Sequence, residues 1–178
     1  MANGGYNPAY NVQFATDADA RIIVDVDVTN EGTDGGEMPP MQEKIQSHYE
    51  KTPEKILADS ADATKKSVKS MEAVGSEVVS TVPRSEQLEK HGKDPHARQK
   101  GDSDEYVNFR ERMAKDEYQD LYKKRPSVAE FPNADCRNRN LQQFGVRGLA
   151  KVKAVSLWHA LAFNFMRMLN EEVKPGRF

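Results

Sequence analysis

The chain has 178 residues, with 26 Lys and Arg against 28 Asp and Glu, and its mean hydropathy is −0.81. That length suffices for one ordinary core without metal or disulfide staples, while the single cysteine, Cys136, excludes an intrachain disulfide and points to a reducing compartment. The longest apolar stretch, residues 154–169, is interrupted by His159, Asn164 and Arg167, and the N-terminus shows no basic-then-apolar leader, so neither membrane insertion nor secretion is expected.

Residues 1–9 are glycine-rich and turn-like, and residues 10–15 read as a strand. After a turn at 16–20, residues 21–28 alternate, with Ile22, Val24, Val26 and Val28 on one face and Ile23, Asp25 and Asp27 on the other. The two runs predict an antiparallel hairpin. Residues 30–36 read as loop, Pro39 and Pro40 mark a helix start, and 41–49 carries a helical pattern. The run 55–58 predicts a buried strand ending at Asp59. Residues 61–74 predict a helix closed by Gly75, and 77–82 a β-branched strand ending at Pro83. Residues 84–104 contain almost nothing apolar and are expected to form a mobile surface excursion. Helical character returns over 105–122, with Tyr106, Phe109, Met113 and Leu121 available for packing. A last helix is expected over 146–170, with Leu149, Val152, Val155, Trp158, Ala162, Phe165 and Leu169 as its apolar face and Lys153, Ser156, Ala160, Asn164 and Arg167 on the other. This order predicts an α/β fold with a mixed sheet flanked by helices.

Charge is segregated. Residues 123–178 carry 11 Lys and Arg against four acids, a net +7, which leaves the first 122 residues at −9. A near-neutral chain divided in this way offers a polyanion a local attractive field. Two acids stand out. Asp59 follows an apolar strand and so emerges at a carboxyl edge, where open α/β sheets place their ligands; the competing role is to cap the helix that follows. Glu130 is an isolated acid in a basic segment, bracketed by Pro126 and Pro132, which restrict its helix to a short turn or kinked start; as an ordinary surface residue it would pair with Arg125 or Lys124. Converging carboxylates suit Mg²⁺ or Mn²⁺, although one Asp and one Glu are too few for a pair of ions. His48, His91, His96 and His159 lie in no zinc-ligand spacing with Cys136, no Walker or dinucleotide glycine fingerprint occurs, and Cys136 reads as a bystander thiol. His91 and His96 are expected to be solvated, and His159 partly buried.

The segments YNVQ (10–13), Thr29-Asn30 with Asp34, ILADS (56–60), AEFPNA (129–134), VRGL (146–149) and AFN (162–164) resemble, in order, the C-terminal half of bacterial insertion-sequence transposases of the DDE class. The resemblance runs from about Tyr10 to Met168. It implies an incomplete ribonuclease H-like domain lacking the first strand, and with it the first catalytic aspartate; Asp25 and Asp27 read as polar-face residues rather than substitutes. Asp59 corresponds to the second aspartate and Glu130 to the glutamate, so both are the implied catalytic residues and ligands of Mg²⁺ or Mn²⁺. Arg137, Arg139, Arg147, Lys151 and Lys153 are the candidates for DNA phosphate contacts. The whole chain is thus expected to be one partial catalytic domain, with its polar insert at about 84–104 and a C-terminal helical part at about 105–170, in a bacterial cytoplasm. Its implied partners are double-stranded DNA and the missing N-terminal portion or a full-length transposase. The implied activity is metal-dependent DNA strand cleavage and transfer, absent from this chain alone. The rival readings are a non-enzymatic remnant that binds DNA or a full-length transposase, and an α/β domain with no nucleic-acid role.

Overall fold

The computed structural model describes residues 10–30 and 36–172 and has the expected α/β composition. The turn-like start at 1–9 and most of the 30–36 loop lie outside the described residues. The chain divides into two compact units, Met1–Thr33 with Val128–Phe178, and Asp34–Ser127. One mixed sheet was expected; the described strands instead form two separate two-stranded sheets, one in each unit. Each pair closes its own backbone ladder, and no described strand is hydrogen-bonded to both.

In the first unit, β1 (Asn11–Thr16) and β2 (Ile23–Thr29) form the predicted antiparallel hairpin, with Val12 opposite Val28 and Phe14 opposite Val26. Asp17 makes the turn: its Oδ1 accepts from the N–H groups of Asp19 and Ala20 at 3.0 and 2.6 Å, and Arg21 takes a left-handed φ of 55°. The simple alternation does not carry through β2. Ile23, Asp25, Val26 and Val28 are buried, while Ile22 and Val24 are only half-buried. An irregularity at Ala15/Thr16 shifts the register so that Thr16 faces Ile23, and helix α7 (Leu149–Glu172) covers the strand.

Helix α7 starts at Leu149 rather than Val146 because Gly148, with φ +91°, breaks the backbone just before it; the Gly148 N–H donates to the Tyr10 hydroxyl at 2.9 Å. Its expected orientation holds at Val152 and is otherwise largely turned outward. Val152, Ser156, Ala160 and Phe163 are buried, whereas Leu149, Trp158, Phe165 and Leu169 of the predicted apolar face are exposed. The small Ser156 and Ala160 let the helix approach β2, and the Ser156 hydroxyl is satisfied by donating to the Val152 carbonyl at 2.9 Å. Asn164 supplies the link: its Oδ1 accepts from the Ile23 N–H at 2.8 Å and its Nδ2 donates to the Ile23 carbonyl at 2.7 Å. Cys136, on α6 (Phe131–Asn138), completes a core with Ile23, Val26, Ala160 and Phe163.

The second unit begins with α1 (Met38–Tyr49), which starts earlier than 41 because both prolines fit its first turn, where backbone N–H groups have no helical acceptor. Strands β3 (Lys55–Leu57) and β4 (Glu77–Val79) pair in parallel, joined by α2 (Lys65–Ala73). The expected Gly75 stop holds. Gly75 has φ +84°, its N–H donates to the Glu72 carbonyl and the Ser76 N–H to that of Met71, closing a Schellman motif. Strand β3 is half-exposed rather than buried, with Lys55 exposed and Ile56 and Leu57 half-buried. Strand β4 stops at Val79 instead of Val82, although Val82 still joins the core of Val68, Met71, Val78, Tyr106, Phe109 and Met113. The expected 105–122 helix is divided into α4 (Asp104–Met113), capped by the Ser103 hydroxyl, and α5 (Asp116–Tyr122), with Lys115 in extended geometry between them.

The polar excursion is anchored by charge. It contains α3 (Ser85–Lys90) and a series of turns, and Pro95 and Asp102 are buried. Arg110 Nε reaches Asp102 Oδ2 at 2.9 Å, Lys65 Nζ lies 2.8 Å from Oδ1, and the Gln99 N–H donates to Oδ2 at 2.9 Å. Arg110 also donates to the Pro95 carbonyl. The absence of apolar anchors therefore does not leave 84–104 unattached. His96, expected to be solvated, is half-buried with Nδ1 3.1 Å from the Arg110 carbonyl. Burial pushes the Asp102 carboxyl up, but the Lys65 and Gln99 hydrogen bonds and the Arg110 charge outweigh it, leaving the pKa below the usual carboxylate value.

Two outcomes follow from these contacts. Asp102→Asn should cost about 3 kcal/mol in urea unfolding, because it leaves Arg110 buried beside a neutral group, and should move the first site of limited proteolysis into 84–104. The wild-type contribution of Asp102 should be fully present above the unfolded carboxylate pKa of about 4 and be lost as pH falls through its lower folded value; a variant whose stability parallels wild type from pH 7 to 2 would contradict the assignment. In the other unit, Asn164→Ala should cost about 2 kcal/mol by leaving the Ile23 N–H and carbonyl unpaired. Hydrogen exchange at the Ile23 amide should then accelerate relative to wild type.

Candidate metal and nucleic-acid site

Asp59 stands just beyond β3, where the chain leaves the parallel pair; the preceding residue, Ala58, still donates its N–H to the Val79 carbonyl at 3.1 Å. Its main-chain carbonyl accepts from Asp62 and Ala63 in a turn, and its Oδ1 accepts from the Ser60 N–H at 2.6 Å. The capping role is filled elsewhere: Thr64 caps α2, accepting from the Ser67 N–H at 3.1 Å. The Asp59 carboxylate is 55 % exposed, and its Oδ2 lies 3.4 Å from Arg125 Nη2. Such an exposed pair is worth about 0–1 kcal/mol, small enough for a divalent cation to displace. The Arg125–Asp59 pair joins residues far apart in sequence, and no local pattern announces it.

Glu130 ends a π-helical turn, Pro126–Glu130, that runs directly into α6, and it is exposed. The bracketing prolines therefore do not confine it to a short turn. Pro132 sits in the first turn of α6, where a missing N–H costs nothing, and the wider π turn absorbs the local strain. Asn133 secures the junction by donating Nδ2 to the Ala129 carbonyl at 3.0 Å.

Asp59 belongs to the second unit and Glu130 to the first. Their oxygens are the donors a hard divalent cation prefers, but their number falls short of a cage: among the described residues, no group of three or more His, Cys, Asp or Glu is gathered to hold a metal ion. Asp25 is buried and accepts from the Val26 N–H at 2.7 Å, and Asp27 accepts from the Val28 N–H at 2.9 Å and lies 3.9 Å from Lys153. They are not the solvent-facing polar residues that alternation suggested, since α7 lies over their strand.

The five candidate phosphate contacts all fall in the first unit and divide into two groups. Arg139 is held by Asp135, with Nε 2.8 Å from Oδ2, and Lys153 faces Asp27. Arg137, Arg147 and Lys151 are exposed, and among the described residues their side chains enter no hydrogen bond or ion pair. Arg137 borders a cavity of about 500 Å³ lined by Tyr10, Phe14, Asn133, Gln142 and Phe144, with the Tyr10 and Phe144 rings edge-on at 5.9 Å. Nearby, the Cys136 thiol is buried, and its pKa is pushed up to about 11, by burial first and the Asp135 charge second. That is the environment of an inert thiol. Among the described residues no helix is long and apolar enough to cross a membrane.

Neither a curated protein nor a solved structure matches the chain. A family model described as the transposase DDE domain does match, over residues 1–165, which is most of the chain and includes Asp59, Glu130 and all five basic candidates. The chain belongs to the transposase DDE domain family.

Proposed function

We propose that this chain is the C-terminal part of a ribonuclease H-like DDE catalytic domain acting in DNA transposition in a bacterial cytoplasm, with residues 1–178 contributing to one domain. The family match over residues 1–165 carries this reading. Asp59 and Glu130 are the proposed catalytic carboxylates and ligands for Mg²⁺ or Mn²⁺, and the first aspartate comes from an N-terminal portion or a full-length transposase. Bound divalent ions would supply activation of the attacking oxygen and stabilisation of the leaving one. The reaction class is phosphodiester hydrolysis at a transposon end, followed by attack of the freed 3′ hydroxyl on target DNA. Arg137, Arg147 and Lys151 engage DNA phosphates directly, whereas Arg139 and Lys153 must first exchange their carboxylate partners.

The pairing of the Asp59 carboxylate with Arg125 supports a second reading. In that reading the chain is a non-enzymatic remnant that binds DNA or a full-length transposase.

The purified chain should bind double-stranded DNA weakly, with little sequence preference, and affinity should fall with salt at a log–log slope of roughly −0.9 per phosphate neutralised. Replacing Arg137, Arg147 and Lys151 together by Ala should flatten that slope by roughly 2–3, while Arg139→Ala alone should change it by less than 1. Absence of binding at low salt by folded protein would remove the DNA assignment.

Strand cleavage and joining should be undetectable for the chain alone in Mg²⁺ or Mn²⁺, and should appear when the N-terminal portion is supplied in trans. Asp59→Ala and Glu130→Ala should then each abolish it. A reconstituted complex that forms but stays inactive would favour the remnant reading. Efficient transfer by the chain alone would instead show that its own acids complete the site.

A further inference from the structure

Between α6 and α7 the backbone is fixed at three places. At the start, α6 ends in a Schellman motif: Asn140 takes a left-handed φ of 72°, its N–H donates to the Arg137 carbonyl at 3.1 Å, and the Leu141 N–H donates to the Cys136 carbonyl at 3.0 Å. The Leu141 side chain packs against the core that contains Cys136, the apolar contact that accompanies this motif. In the middle, Phe144 meets the Tyr10 ring edge-on, and at the end the Gly148 N–H donates to the Tyr10 hydroxyl at 2.9 Å. Several polar side chains on this held loop have no internal partner. Asn138, Asn140 and Gln143 are exposed, and among the described residues their amides enter no hydrogen bond, whereas Gln142 donates to the Arg137 carbonyl at 3.4 Å. The unpaired cations Arg137, Arg147 and Lys151 flank them in sequence, and residues 136–170 contain no Asp or Glu in a chain that has 28 acids. No carboxylate of this stretch repels a polyanion.

We propose that Asn138, Asn140 and Gln143 are DNA-positioning residues that donate their amide N–H groups to phosphate oxygens beside those neutralised by Arg137 and Arg147. The proposal rests on the DNA reading above and adds to it a set of contacts that carry no charge. Arg and Lys offer only donors, and each primary amide offers two, so the partner common to the whole loop is a repeated anionic acceptor. Asn and Gln side chains share with Arg and Lys the phosphate contacts that fix register on a duplex. Because the backbone is already held by the Schellman motif and by Tyr10, little ordering cost is left for binding. Amides and cations differ in one measurable respect. A cation that meets a phosphate releases a counterion and steepens the salt dependence, whereas an amide strengthens binding equally at every salt concentration.

Fluorescence anisotropy of the full chain with labelled duplexes, titrated between about 50 and 200 mM salt, tests it. The triple variant Asn138→Ala, Asn140→Gly, Gln143→Ala keeps the left-handed turn, since glycine adopts it freely. Its affinity should fall at least roughly 10-fold at every salt concentration, by the same factor on two duplexes of unrelated sequence, with the log–log slope unchanged. Arg147→Gln should do the reverse and flatten the slope by about 1. Far-ultraviolet circular dichroism matching wild type checks the fold. Gln143→Glu, an isosteric change at an exposed position, provides a second variant and should also weaken binding, because it puts an anion where a donor stood. Wild-type affinity in both amide variants would overturn the proposal while leaving the DNA reading intact. A loss confined to one duplex would overturn it too, by placing the amides on base edges. Failure of the wild-type chain to bind either duplex would remove the DNA reading, and this proposal with it.

Discussion

The first unit depends on one carboxamide. Asn164 presents an acceptor and a donor to the N–H and carbonyl of a single residue, Ile23, as a neighbouring strand would. A helix is thereby joined to a hairpin whose partners are 141 residues apart in sequence. Asp cannot replace both halves of this bond pair, and Leu can replace neither. Small residues on the same face of α7 follow from it, because the carboxamide reaches the strand only if Ser156 and Ala160 let the helix come close. The burial of Asp25 and the half-shielded Asp27–Lys153 pair are further results of that approach. The Asn of the AFN segment thus has a physical role in the fold that is separate from catalysis.

The second unit reaches the same end by different chemistry. Its βαβ core is ordinary, with β-branched strands, a helix stopped at Gly75 and aromatic residues from α4 filling the centre. The long polar segment has no comparable apolar content and instead wraps around the Arg110 guanidinium, which Asp102 and the Pro95 carbonyl satisfy from the excursion itself. Lys65 joins from α2, so the excursion is tied to the helix that follows Asp59. Packing against a charge that is already paired holds a loop without a hydrophobic cluster.

Much of the local structure was legible in the sequence, because local forces set it. Alternation located the hairpin, Gly75 stopped α2, and the prolines at 39 and 40 marked α1. Features set by distant partners were not. The more apolar face of α7 was assigned inward, since hydropathy ranks side chains and cannot see that β2 needs a close approach and an amide. Residues 84–104 read as loose because the attraction of Asp102 for Arg110 leaves no mark in an apolar count. Asp59 and Glu130 stood out from their surroundings, one after an apolar strand and the other alone in a basic segment between two prolines, but only the resemblance gave them the role of metal ligands. The division of the basic candidates into engaged and unpaired groups required the positions of Asp27 and Asp135 in space.

The π turn at Pro126–Glu130 sets a constraint of a different kind. A π turn holds one residue more than an α-helical turn, and in a helix each residue advances the facing direction by about 100°. The direction in which Glu130 points is therefore fixed by the number of residues between Pro126 and Phe131 as well as by the identity of any of them. A regular α-helical turn of the same five residues would swing the carboxylate about a quarter-turn around the axis, with every side chain retained. Length is as much a part of this segment's information as composition, and a chain can lose the position of an acid without losing the acid.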